Sequence, residues 1–186
     1  MALIHDARLR PTKLDLVADW LPDQPWAAGE GEVRVVARFR FDDPLGEVGV
    51  ETILVRRGDG PVLQVPLTYR GAPLEGADAW LITTMEHSVL GTRWVYDALG
   101  DPVYEAVVLE AVRSGAGHAA EFDADGRPVE RPDAAQAVGN PGPESQVADV
   151  DLTVQRVLGA PVDVGAAGTL TASWDGNDPV VLAVVR

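Results

Sequence analysis

Glu32-Val-Arg-Val-Val-Ala-Arg-Phe-Arg-Phe41 is the stretch that decides the fold class. Apolar and charged residues alternate through it with a period of two. Val33, Val35, Ala37, Phe39 and Phe41 fall on one face. Glu32, Arg34, Arg38 and Arg40 fall on the other, with Val36 the exception. A period of two is the spacing of a half-buried strand in an antiparallel sheet, because successive side chains of a strand point to opposite faces. Asp42-Asp-Pro-Leu-Gly46 then reads as a turn. Residues 48–57 repeat the pattern, with Val48, Val50, Thr52 and Leu54 opposite Glu51, Ile53 and Val55. After the turn Gly58-Asp-Gly-Pro61, residues 62–70 place Leu63, Val65, Leu67 and Tyr69 on one face. Pro66 inside this third strand predicts an edge position or a bulge, since proline cannot donate to the ladder. Three strands joined by short turns form a meander.

Working outward, residues 2–9 read as a first, weakly patterned strand. Thr12 with Asp15 three residues on is a variant of the capping box and predicts a short helix. Leu14, Val17 and Leu21 supply its apolar face, Trp20 flanks it, and Pro22 and Pro25 stop it. Residues 80–88 and 92–96 read as further strands. Asp101-Pro102 opens a second helix, with an N-cap carboxylate and proline at the first helical position. Its apolar face is Val103, Tyr104, Val107, Val108, Ala111 and Val112, expected to lie across the concave face of the sheet.

Residues 114–146 are rich in Gly, Ala, Pro and acidic side chains and read as a flexible loop. Within them Asp123-Ala-Asp-Gly126 signals a short hairpin, and 132–146 reads as the mobile part. Alternation resumes with Val150, Leu152 and Val154, then Leu170, Ala172 and Trp174. The turn Asp175-Gly-Asn-Asp178 leads into an apolar closing strand, Val180–Val185. These last three strands read as another meander. The whole is expected to be one α+β domain over 1–186, with a curved, mainly antiparallel sheet packed against one or two helices.

Composition narrows the function classes. The 186 residues are 46% apolar, enough for a sizeable core, and contain no cysteine. Disulfides, cysteine-zinc sites and thiol catalysis are thereby excluded. A net charge of −14 repels phosphate backbones and anionic lipid, which disfavours nucleic-acid and membrane roles. The N-terminus lacks the basic flank and apolar core of a signal peptide, and the expected location is the cytoplasm. His5, His87 and His118 are the only histidines, with no i, i+4 pair among them, and no metal site is read. No phosphate-cradling loop and no cofactor motif is present. The segment Met85–Asp97 concentrates polar and aromatic groups. His87, Ser88, Arg93, Trp94, Tyr96 and Asp97 are its candidate surface for a partner or ligand, set against the plainer reading that its aromatics are core. Adjacent Ser88 and His87 point to opposite faces of a strand, so a serine-hydrolase triad is set aside.

Several blocks carry a family resemblance. Ile4-His-Asp-Ala-Arg-Leu-Arg-Pro-Thr-Lys-Leu14 with Trp20-Leu-Pro22 resembles the start of bacterial maltokinases. So do Phe41-Asp-Asp-Pro-Leu-Gly-Glu-Val-Gly-Val-Glu51, Gln64-Val-Pro-Leu-Thr-Tyr-Arg-Gly71, Glu86-His-Ser-Val-Leu-Gly-Thr-Arg-Trp-Val-Tyr-Asp97 and Asp101-Pro-Val103. They run in the order of the maltokinase N-terminal cap domain and cover residues 1–104. The resemblance implies a curved, somewhat cystatin-like sheet against a helix. It also implies a stand-alone cap without the kinase lobes. The sequence has no His-Gly-Asp or His-x-Asp catalytic loop and no Asp-Phe-Gly motif to hold magnesium. The expectation is a non-catalytic accessory module, binding a sugar kinase or α-glucan enzyme in maltose, α-glucan or amino-sugar metabolism. The alternatives are a small-sugar binding protein and an enzyme with an unrecognised site.

Overall fold

One inserted residue organises the architecture. The computed structural model describes residues 2–3, 8–123, 125–143, 151–162 and 167–186. Strand β3, Val33–Asp42, pairs with β4, Gly49–Arg57, and Val35 lies opposite Val55 while Ala37 lies opposite Leu54. Val36 is therefore an extra residue, a β-bulge, and a bulge reverses which side chains face which way beyond it. Val33 and Val35 pack on one face of the sheet. Ala37, Phe39 and Phe41 pack on the other, with Val36 beside them. The single face read from the period of two is thus two half-faces. Arg38 and Arg40 consequently share the side of Val33, the side that carries the first helix.

The remaining elements are β1 Ala2–Leu3, β2 Leu9–Arg10, α1 Lys13–Trp20, β5 Val62–Arg70, β6 Leu81–His87, β7 Gly91–Asp97, α2 Pro102–Ser114, β8 Glu121–Phe122, β9 Gln136–Pro141, β10 Leu152–Val154, β11 Gly168–Ser173 and β12 Val180–Val185. Six strands form a curved antiparallel sheet in the order β2-β6-β7-β5-β4-β3, and four form a second in the order β10-β12-β11-β9. β1 and β8 pair in parallel. The strand expected over 2–9 is instead two short strands in different sheets, with 4–7 outside the described residues. The closing strands are not a meander, because β12 inserts between β10 and β11.

Each face of the large sheet has its own core. α1 covers one. Thr12 caps it with both hydrogen bonds of a capping box: its Oγ1 accepts from Asp15 N, and Asp15 Oδ2 accepts from Thr12 N. Leu16, Val17 and Leu21 are buried against Ile53, Val55, Leu63 and Val65. Leu14, expected on this face, is 37% exposed. The other face, with Phe39, Phe41, Val50 and Leu54, shares a core with α2 and the second sheet. β4 is buried on both sides, which is why its apolar run is nearly continuous.

α2 starts as its sequence predicts, with Asp101 accepting from Val103 N and Pro102 in the first turn. It ends at Gly115 in the left-handed region, φ 71°. Its chief neighbours are β9 and β11 of the second sheet rather than the large sheet. Gly139 of β9 permits this: a Cβ there would lie 1.9 Å from Ala111 O. Burying Tyr104, Val107, Val108, Ala111 and Val112 contributes on the order of 10 kcal/mol. β9 itself, six residues long, lies inside the segment read as a mobile loop over 132–146, of which 144–146 fall outside the described residues. Its buried Ala137 alternates with exposed Gln136 and Val138, a strand pattern made of small residues that composition alone conceals. The hairpin expected at 123–126 is present, with Asp123 Oδ1 accepting from Asp125 N and Arg127 N. Those two bonds engage the carboxylate in a turn.

Pro66 is neither at an edge nor in a bulge. β5 lies between β4 and β7. Its outer edge changes partner at this residue, however: Gln64 N donates to Arg156 O before it, and Thr68 pairs with Tyr96 after it. The missing N–H falls in the gap between two neighbours. Among the described residues no helix is long and apolar enough to cross a membrane.

Deleting Val36 would carry Arg38 and Arg40 into the interior core and turn Phe39 and Phe41 outward. The expected result is loss of cooperative unfolding, read by near-ultraviolet circular dichroism and thermal melting. Replacing Val36 by Thr, which keeps the residue count, is expected to melt cooperatively.

Candidate functional site

The bulge places Arg38 and Arg40 beside Glu51 of β4 and Tyr69 of β5 on the α1 face. Arg93 of β7 joins them from across the sheet. Arg38, Arg40, Tyr69 and Arg93 line an open groove of about 740 Å³ together with Lys13, His87 and Arg131, and Glu51 is buried beneath it. The β3–β4 turn, Asp43 to Gly46, forms one wall. Asp43 holds that turn, with Oδ1 accepting from Leu45 N and Oδ2 from Glu47 N and Val48 N.

The floor is a network of ion pairs. Glu51 is 2% exposed and accepts from Lys13 Nζ and from Tyr69 Oη at 3.0 Å. Lys13 Nζ also lies 5.0 Å from the Tyr69 ring centroid, a cation–π contact. Burial pushes the Glu51 carboxyl up. Lys13 beside it, with Arg40 and Arg38, outweighs burial and holds the carboxyl below its ordinary value of 4.5. Burial, then the neighbouring Glu51 charge, push the Tyr69 hydroxyl well above its ordinary 10.0. Arg38 donates through Nε to Asp133 Oδ2 at 2.7 Å, and Arg131 donates to Glu121 Oε2.

The segment singled out from sequence is divided by the alternation of its strands. His87 and Arg93 reach the groove. His87 Nδ1 accepts from Val89 N and Leu90 N and so closes the β6–β7 turn, while Arg93 Nη2 donates to Leu90 O at 2.8 Å. Ser88 sits at the turn, where its Oγ accepts from Arg8 N. Trp94 points to the opposite face from Arg93, in register with Arg70. Tyr96 is 2% exposed, its hydroxyl accepting from Leu74 N at 2.8 Å. Asp97 is 5% exposed and accepts from Arg156 Nη2 at 2.6 Å. Tyr96 and Asp97 are thus interior groups rather than surface ones.

Arg38, Arg40, Lys13, Glu51 and Tyr69 were not singled out from sequence. The available signal was Glu51, a carboxylate in a strand otherwise apolar on both faces, two strand positions from Ile53.

Residues 20–101 match the maltokinase N-terminal cap domain family. The matched segment runs from the last residue of α1 to the N-cap of α2 and holds strands β3 to β7. No curated protein matches the chain. The opening block through Leu14 and the second sheet lie outside the cap match, so the groove draws its walls from cap and non-cap residues alike.

Two measurements check this geometry. Arg156→Ala leaves Asp97 buried without its partner and is expected to cost about 3–5 kcal/mol in chemical denaturation. The Glu51 network is pH-dependent: its folded pKa lies below the ordinary value, so its stabilisation is complete above about pH 4.5 and is lost as pH falls through the folded value. The melting-temperature gap between wild type and Glu51→Gln is therefore expected to be largest near neutrality and to shrink in acid.

Proposed function

We propose that this chain is a non-catalytic interaction module, related to the maltokinase cap, that docks on a protein partner acting in sugar metabolism. The partner class is a sugar kinase or an α-glucan enzyme. The observation that carries the reading is the family match over residues 20–101, which is to a cap and not to a catalytic domain. The fate of the polar residues in that segment supports it. Asp97, Tyr96 and Asp101 spend their hydrogen bonds on Arg156, Leu74 N and Arg70, which are structural tasks.

A contact surface is available at the groove mouth. Leu45, 81% exposed at the tip of the β3–β4 turn, and Leu90, 45% exposed at the β6–β7 turn, both line the groove, and Val89 beside Leu90 is 57% exposed. Apolar tips held on rigid hairpins around a charged centre suit protein docking, in which an apolar contact zone is set among polar groups.

The test has two parts. The purified protein with ATP, magnesium and maltose, glucose or glucosamine is expected to transfer no phosphate. Affinity capture followed by mass spectrometry is expected to enrich a sugar kinase or α-glucan enzyme. A Leu45→Asp, Leu90→Asp double variant is expected to lose that enrichment at unchanged melting temperature. Phosphate transfer that follows the protein through purification and disappears in His87→Ala would overturn the reading. Saturable quenching of tryptophan fluorescence by maltose, with no protein captured, would replace it with sugar binding.

A further inference from the structure

We propose that a second, apolar slot between α2 and the β3–β4 turn receives a short segment of the protein partner, an apolar side chain flanked by lysine or arginine. This inference rests on the docking reading above and names the chemistry of the segment that docks. The slot has a volume of about 530 Å³ and adjoins the charged groove, the two sharing Phe41 and the turn from Asp42 to Leu45. Along α2 it is lined by Pro102, Val103, Ala106, Val107, Glu110 and Ala111. At 3.6 residues per turn these positions form one continuous stripe, about 14 Å long at about 1.5 Å per residue. Of the lining, Phe41, Val107 and Ala111 are buried, while Pro44, Leu45 and Ala106 are exposed. The alanines leave space that larger side chains would fill, and the hydrogen bonds of Asp43 hold the opposite wall in place.

The charge of the slot selects its occupant. The lining holds Asp42, Asp43 and Glu110 and no lysine, arginine or histidine. Glu110 is exposed and forms no ion pair among the described residues. Asp43 accepts from neutral backbone amides, which leave its charge in place. It also acts on Arg70, but that guanidinium is bound at two nitrogens to Asp101 and does not line the slot. An apolar lining with acids beside it favours an apolar group that carries cations and repels one that carries acids. The same charge argues against two other occupants. A second copy of this chain would set a net charge of −14 against another. The chain's own segments outside the described residues, 4–7, 144–150 and 163–166, contain no lysine or arginine. An extended run of about four residues, at about 3.3 Å each, matches the length of the stripe.

Fluorescence anisotropy with the full chain in low-salt buffer tests it with two labelled synthetic peptides. One is a leucine pair flanked by lysines, and the other has glutamates in place of the lysines. The lysine peptide is expected to bind saturably, and the glutamate peptide at least about tenfold more weakly. Glu110→Lys is expected to weaken binding of the lysine peptide at least about tenfold. Glu105→Lys makes the same change of charge at an exposed residue of α2 that does not line the slot, and is expected to leave binding unchanged. Should Glu110→Lys fail to fold, Ala106→Lys carries the same expectation. Absence of binding by the lysine peptide overturns the slot. Equal weakening by Glu105→Lys also overturns it, as the mark of diffuse charge attraction. A dimer in sedimentation velocity that Glu110→Lys abolishes overturns it in favour of a second copy. The slot and the docking reading fail separately. Partner capture that depends on Leu45 and Leu90, with no binding of the lysine peptide, overturns the slot alone. Binding of the lysine peptide as expected, with no sugar kinase or α-glucan enzyme captured, supports the slot and overturns the partner class.

Discussion

The inserted Val36 in β3 is the constraint on which the rest of the structure depends. A strand without it would present one apolar face and one charged face, and the large sheet would have a single core. With it, the first half of β3 feeds the core under α1 and the second half feeds the core shared with α2 and the second sheet. The same half-turn of phase brings Arg38 and Arg40 onto the α1 face, where Glu51 and Lys13 meet them. Packing and electrostatics are thereby fixed by one backbone irregularity, and neither can be altered there without the other.

Polar contacts tie the sequence-distant parts together. Arg156 joins the C-terminal third to the cap segment by three means. Its guanidinium donates to Asp97, it lies 4.7 Å over the Trp26 ring, and its carbonyl accepts from Gln64 N. Arg38 reaches Asp133 and Arg70 reaches Asp101 in the same manner. These pairs are partly or fully removed from water, so breaking one leaves a charge with no partner, a larger loss than at an exposed bridge. In a chain of net charge −14, Arg38, Arg70 and Arg156 serve as internal counter-ions.

Much of the large sheet was legible in sequence, and the reasons are local. β5 alternates, β4 is a nearly continuous apolar run bounded by turn residues, and Thr12, Asp15, Asp101 and Pro102 are caps with a direct chemical signature. Three features were not legible. The bulge at Val36 leaves the period-two pattern intact to the eye while reversing its meaning. β9 carries only Ala137 and Gly139 on its buried face because α2 presses closely against it, so its composition imitates a loop. Tyr96 and Asp97 look like surface chemistry in a linear reading, because burial with a distant partner such as Arg156 leaves no local trace. The groove was missed for a related reason: β3 supplies four of its residues, but β2, β4, β5, β6 and β7 add only one or two each, so no single stretch of sequence displays it.

The family match ends at residue 101, and the packing does not. Phe39, Phe41, Val50 and Leu54 all lie inside the matched segment, yet the surface that keeps them dry comes from α2, β11 and β12 outside it. A piece cut at that boundary would carry an uncovered oily sheet face, with Asp101, the acid that both neutralises Arg70 and starts α2, as its last residue. The cap segment in this protein is therefore wedded to its C-terminal sheet. Each part keeps the other's apolar face out of water, so the two form one solubility unit.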